Sequence, residues 1–124
     1  MIRPRSIAVA LVVAGLALTC TAFAQTNEIS INIAPSTIVL DSSATWVTVH
    51  TNLDYISVDQ DTVELDGIDM AWAKADACGN FVAKFAFDDV AAEVADNAGD
   101  TVALTLTGVA EGEAFSGSDE VRIK

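Results

Sequence analysis

Short runs of alternating apolar and polar residues, turn formers spaced fairly evenly between them, and no helical pattern longer than two turns predict an all-β protein. About 100 residues patterned in this way suit an antiparallel immunoglobulin-like β-sandwich of seven or eight strands with one short helix. A closed barrel is the alternative, because alternation alone does not separate one closed sheet from two stacked ones.

The first 24 residues stand apart from this pattern. Arg3 and Arg5 precede an apolar run from Ile7 to Leu18, and Ala22-Phe23-Ala24 precede the polar Gln25-Thr26-Asn27-Glu28. A positive start, a short apolar run and small residues three and one before the cut are the pattern of a secretory signal peptide, here with cleavage between Ala24 and Gln25. The run is too short to cross a bilayer. Lipid attachment at Leu18-Thr19-Cys20 is the competing reading and fits less well, since Thr is a poor residue before the Cys. The expected organisation is a signal peptide over 1–24 and one domain over 25–124, secreted or periplasmic after cleavage.

In the domain, Ile29, Ile31 and Ile33 alternate with Glu28, Ser30 and Asn32. Pro35 has no N–H to give a ladder and interrupts this strand, which Thr37 to Leu40 resumes, as suits a sheet edge. The segment Gln25 to Ile33, set off by that proline, is either paired within its own domain or donated to a neighbouring copy. Thr45 to Thr51 is expected as a strand with Val47 and Val49 inward and Trp46, Thr48 and His50 outward. Tyr55 to Val58 and Thr62 to Leu65 read as short strands, and Ile68 to Ala75 as one strand on which Trp72 shares a face with Met70 and Lys74. Asp76-Ala77-Cys78-Gly79-Asn80 has the composition of a hairpin loop, and Phe81, Ala83, Phe85 and Phe87 share a face of the returning strand. Asp88 to Asp96 is the one helical pattern, opened by acids and stopped by Asn97 and Gly99. Thr101 to Thr107 places Val102, Leu104 and Leu106 in the core, and Glu113 to Lys124 supplies the last strand with Val121 and Ile123 inward.

Composition narrows the function. The formal net charge of −12 becomes −14 once Arg3 and Arg5 leave with the signal. Lys74, Lys84, Arg122 and Lys124 are scattered, so nucleic acid and electrostatic docking on an anionic membrane are excluded as partners. The acids read first as a solvated, aggregation-resistant surface, then as sites for a divalent cation or a basic partner. Cys78 is the one cysteine outside the signal, so no intramolecular disulfide can form. At a hairpin tip in an oxidising compartment its thiol is free, capped, or bridged to another chain, which includes a disulfide-linked homodimer.

Four stretches taken together resemble a known module: Val63 to Gly67, Asp76 to Phe85, Leu104 to Gly108 and Phe115 to Ile123. Their order and spacing resemble the immunoglobulin-like β-sandwich accessory modules of bacterial secreted, dockerin-bearing or adhesin-like proteins, over Ile38 to Ile123. The resemblance implies a non-catalytic module for spacing, packing or attachment in a cell-surface assembly. Two departures stand out: the module follows its own leader without a catalytic domain or dockerin, and Cys78 takes a turn position expected to hold Arg.

Catalysis has little support, because His50 and Cys78 would have to make a nucleophile and base pair from an outward strand position and a loop. Paired carboxylates need a cleft to separate their pKa values, and turn acids do not supply one. Calcium is the sharper reading of the acids, with Asp59, Asp61 and Glu64 on one connection and Asp66 with Asp69 on the next, though none matches EF-hand spacing. Trp46, Tyr55 and Trp72 are either core aromatics or a carbohydrate-stacking surface, with Trp46 the foremost candidate for stacking. No cofactor motif is present in the sequence. The expected function is a secreted non-catalytic module for protein binding or extracellular structural assembly; the alternative is a calcium- or carbohydrate-binding secreted protein, with an unknown protein or surface polymer as partner.

Overall fold

Alternation gives each strand one apolar face, and the two sheets that result bury those faces against each other. The computed structural model describes residues 26–124; the expected signal peptide, its expected cleavage site at Ala24 and Gln25, and Cys20 lie outside the described residues. One sheet contains β1 (Asn27–Glu28), β3 (Thr37–Ile38), β5 (Val58–Leu65), β6 (Ile68–Asp69), β9 (Thr101–Ala110) and β10 (Glu113–Ile123), in the order β1-β10-β9-β5-β6 with β3 also on β10. The other runs β2 (Ile31–Ala34), β4 (Trp46–Asp54), β8 (Asn80–Ala86) and β7 (Trp72–Ala75), in the order β2-β4-β8-β7. Pairing is antiparallel except for β1 and β3, which run parallel to β10. The protein is thus an all-β sandwich with a single α-helix among the described residues.

The core takes Phe81 and Phe85 from β8, Val47 and Val49 from β4, Leu104 and Leu106 from β9, and Phe115, Val121 and Ile123 from β10. Each such side chain contributes about 1.5–3 kcal/mol by leaving water. Helix α1 (Phe87–Glu93) adds Phe87 and Val90, and Val94 follows at its end. The helix starts one residue earlier and ends sooner than the acids alone suggest, with a 3-10 turn over Ala95–Asn97 completing the segment. Its first N–H, that of Phe87, finds the Thr45 carbonyl at 2.9 Å.

Two chain segments change sheets, and both correct the sequence reading. The first is the split strand: β1 lies on β10, β2 on β4, and β3 returns to β10 after a cis Ala34–Pro35 peptide. Gln25 to Ile33 is therefore paired within its own domain wherever it is described. At this crossing a Cβ on Gly117 would lie 2.7 Å from the Ile29 carbonyl oxygen, so glycine there lets the backbone pass. The Asp119 carboxylate ties the same crossing by accepting the Ile33 N–H at 2.9 Å.

The second crossing divides Ile68 to Ala75, expected as one strand, into β6 on β5 and β7 on β8. Ala71 N–H reaches the Lys84 carbonyl at 2.9 Å as the chain arrives at the second sheet. Ile68 and Met70 point from the first sheet into the core. The same side of the chain, carried into the opposite layer, points to solvent, and Trp72 and Lys74 are accordingly exposed. Met70 and Trp72 therefore belong to different layers, although both line the groove that opens where the chain crosses.

Other differences are local. Tyr55–Ser57 is a 3-10 turn rather than a strand, because its backbone closes on itself before β5 begins. The two short strands expected around Asp59 are one long β5 with a register shift between Asp59 and Glu64. Thr62 fills that shift: its hydroxyl donates to the Asp59 carbonyl at 2.7 Å and accepts the Val109 N–H at 2.8 Å. Thr37 to Leu40 is a strand only at Thr37–Ile38.

Candidate functional site: the outer face of the four-stranded sheet

On β4, Val47 and Val49 face the core, which turns Trp46, Thr48 and His50 outward, as their alternation predicts. Strand β8 lies beside it, with Phe81, Ala83 and Phe85 inward and Lys84 between them facing out. Register then sets these residues in rows across the sheet. Thr48 is opposite Lys84, and Lys84 is opposite Trp72. In the next row His50 is opposite Val82 and Val82 opposite Lys74, while Trp46 is opposite Ala86. At the edge β2 sets Ala34 beside Thr48 and Asn32 beside His50.

The two tryptophans come from strands on either side of β8, and the small Ala86 leaves room for them to meet over it. Their ring centroids lie 5.8 Å apart with planes at 83°, an edge-to-face pair, a contact worth about 0.5–1.5 kcal/mol beyond area burial. They remain 38% and 42% exposed, respectively. Beside them the Lys84 ammonium donates to Thr48 Oγ1 at 2.9 Å and lies 5.6 Å from the Trp72 ring centroid. A hydroxyl and a π face thus fix an otherwise mobile cation at one place, still half-exposed. The rows from Trp46 to His50 carry no outward acid, and the first one met is the exposed Asp54, opposite Asn80 at the hairpin end of the sheet.

Open grooves flank the pair on both sides. The one beside Trp72 measures about 550 Å³ and is lined by Gln60, Asp61, Asp69 and Met70 among others. The one beside Trp46, about 460 Å³, is lined by Ser42, Ser43, Thr45 and Asp88 together with Phe87. The indoles therefore form a ridge between two polar hollows.

The remaining candidates are dispersed. Glu64 and Asp69 face each other across β5 and β6, Asp59 lies at the start of the register shift, and Asp61 lines the Trp72 groove. Asp66 sits in the turn with φ of 47° and spends a carboxylate oxygen on the Thr105 N–H at 3.0 Å. Among the described residues no three His, Cys, Asp or Glu side chains converge in a way that would hold a metal ion. Tyr55 packs on the core, its ring 6.2 Å from that of Phe81, and takes no part in the tryptophan surface.

Cys78 is exposed at the tip of the β7–β8 hairpin. Asp76 organises that loop, its Oδ1 accepting the N–H groups of Asn80 at 2.9 Å and Cys78 at 2.8 Å, with Gly79 at φ of 82° completing the turn. The Asn80 N–H above all, joined by the Cys78 N–H and the charge of the neighbouring His50, holds the Asp76 carboxyl below the ordinary value against an opposing desolvation. His50 stands in the strand row opposite Val82, away from the tip that carries the thiol.

Lys84 is the member of the site that the sequence reading passes over. The inward run Phe81, Ala83, Phe85 already implies that it faces out, but which residues stand opposite depends on the register of three strands. Among the described residues, no helix is long and apolar enough to cross a membrane. No protein-family model and no curated protein matches the chain.

Proposed function

We propose that the protein is a secreted, non-catalytic, immunoglobulin-like binding module that holds an extracellular saccharide polymer on the outer face of its four-stranded sheet. The observation that carries this reading is the perpendicular Trp46–Trp72 pair, half-exposed where Phe81, Phe85, Phe87 and Phe115 are all buried. An indole left half in water forgoes part of its burial energy, which a ligand covering it recovers. A pyranose offers a matching surface, with C–H groups for the π face and hydroxyls for Thr48, His50 and Asn32 around it.

A protein interface of ordinary size centres on a larger apolar patch, whereas here two rings stand among polar neighbours. The other exposed large apolar residues among those described, Val39 and Ile56, lie outside these register rows. The assembly role of dockerin-bearing or adhesin-like modules rests on the four sequence motifs, and calcium binding on acids that do not converge. Secretion follows from the signal peptide, and intact mass of the exported protein beginning at Gln25 tests it.

The test of binding is retention on a panel of insoluble polysaccharides. Retention by the wild type and its loss in Trp46→Ala, with the variant still folded by circular dichroism, supports the reading. Wild-type passage through the whole panel, or undiminished retention of the variant, overturns it.

A further inference from the structure

The outer face of the four-stranded sheet differs from the rest of the molecule in charge as well as in aromatic content. The chain has 18 acidic residues, and in the rows of β2, β4, β8 and β7 the one acid is Asp54, exposed opposite Asn80 at the far end of β4. Those rows hold Lys84 and Lys74, two of the four cationic side chains that remain after the signal, together with His50, the one histidine. A surface selected only for solubility in so acidic a chain has no reason to keep carboxylates out of the central rows of one sheet face.

Placement strengthens the point. Lys84 is held between Thr48 and the Trp72 ring, and Lys74 follows two residues after Trp72 on the same edge strand. A charge already fixed by its own neighbours loses little freedom on binding. Carboxylates resume beyond the central rows, at Asp61 and Asp69 in one groove, Asp88 in the other, and Asp54 and Asp76 at the hairpin end of the sheet. An anion set on the lysines is thereby kept to the centre of the sheet.

We infer that the saccharide held by this face is anionic, a polymer carrying carboxylate or sulfate groups, with Trp46 and Trp72 covering the ring and Lys84 and Lys74 taking the charge. The inference rests on the saccharide-binding reading above and adds the ligand's charge. The net negative charge of the whole domain opposes approach of such a polymer. At physiological ionic strength the opposing charges are screened beyond about 8 Å, so the local cations decide the contact. This favours an acidic saccharide over an acidic peptide, which would use the lysines and leave the perpendicular indoles uncovered.

Both tryptophans of the chain lie in this site, so intrinsic fluorescence reports on it alone. The experiment titrates the exported protein, near physiological salt, with a polyuronate, a sulfated polysaccharide, a neutral polysaccharide of similar linkage, and polyglutamate. The expected result is a saturable emission change with the polyuronate or the sulfated polymer, the stronger of the two naming the acid group, and binding weaker by tenfold or so for the neutral polymer. Lys84→Met with Lys74→Gln, which keeps most of the apolar stems, is expected to weaken anionic binding by about tenfold and so remove most of the preference for the anionic over the neutral polymer.

Equal binding of neutral and anionic polysaccharide, or indifference to the double substitution, overturns the charge inference and leaves the saccharide reading standing. Polyglutamate binding as tightly as the acidic saccharides overturns it in favour of an acidic protein partner. No emission change with any polymer overturns both readings.

Discussion

Across the six-stranded sheet the outward rows read Glu64, Thr107, Ser116 and then Thr105, Ser118, with Asp69 opposite Glu64 and Glu120 further along β10. Across the four-stranded sheet they read Thr48, Lys84, Trp72 and then His50, Val82, Lys74. The first is what strand propensity and solubility together select, hydroxyls that suit a pleated surface and carboxylates that keep it in solution. Thr105 and Ser118 hydroxyls meet at 2.8 Å, a cross-strand pair of ordinary kind. The second surface departs from that rule in aromatic content, in the sign of the charge at its centre and in carrying an acid only at its end, Asp54. Identical alternation thus yields one surface that folding explains and one that it does not.

The comparison breaks most severely if the two layers cannot exchange the first strand. A methyl on Gly117 meets the Ile29 carbonyl oxygen at 2.7 Å, a backbone atom that cannot swing aside. Gly117→Ala is expected to cost about 2–3 kcal/mol, read as a lower midpoint in chemical denaturation. A midpoint unchanged from wild type would show that β1 and β2 are free to shift.

Next comes the functional contrast between the faces. Trp46→Ala is expected to weaken polysaccharide binding more than about tenfold, as loss of a central aromatic contact does. Thr107→Ala on the opposite face is expected to change stability by no more than about 0.5 kcal/mol and binding not at all. Equal losses in the two variants would remove the distinction between the surfaces.

The hairpin that joins β7 to β8 offers a finer test through pH. Asp76 is held below the ordinary aspartate value of 3.8, chiefly by the Asn80 N–H. With its folded value depressed, the unfolded chain binds the proton more readily, so the contribution is present above 3.8 and is lost as pH falls through the lower folded value. Melting temperature of the wild type is therefore expected to fall more steeply below pH 3.8 than that of Asp76→Asn, the two curves converging in acid. Parallel curves would remove the carboxylate from the turn's stability.

The smallest effect is expected at the hairpin tip. Cys78 is exposed, so alkylation of the native protein is expected to go to completion without shifting the melting temperature or polysaccharide binding. A doubled mass without reductant, or binding lost on alkylation, would make the tip part of an assembly or of the site.

Much of this arrangement was legible before any coordinates. The inward places of Val47, Val49, Leu104, Leu106, Val121 and Ile123 follow from alternation, because a strand gives successive side chains to opposite faces. The hairpin at Asp76 to Asn80 follows from turn chemistry, and the outward turn of Trp46 from its valine neighbours. Trp72 was half legible: its alternation with Lys74 held, but its supposed partnership with Met70 failed at the crossing between sheets. The merger of Val58 to Leu65 was hidden because Thr62 replaces ladder bonds with its own hydroxyl, which no periodicity records.

By itself the sequence determined the quantities that depend on neighbours along the chain: an all-β pattern, an acidic surface, a single thiol outside the signal, and an outward Trp46. Only the tertiary structure decided which side of Ile68 to Ala75 became solvent, since passage from one layer to the other exchanges inside and outside without disturbing the alternation. It also set Ala86 opposite Trp46, and Lys84 between a hydroxyl and a ring, through the register of the strands. Register is fixed by burying the opposite faces of those strands, so the site on the outside is a consequence of the packing within.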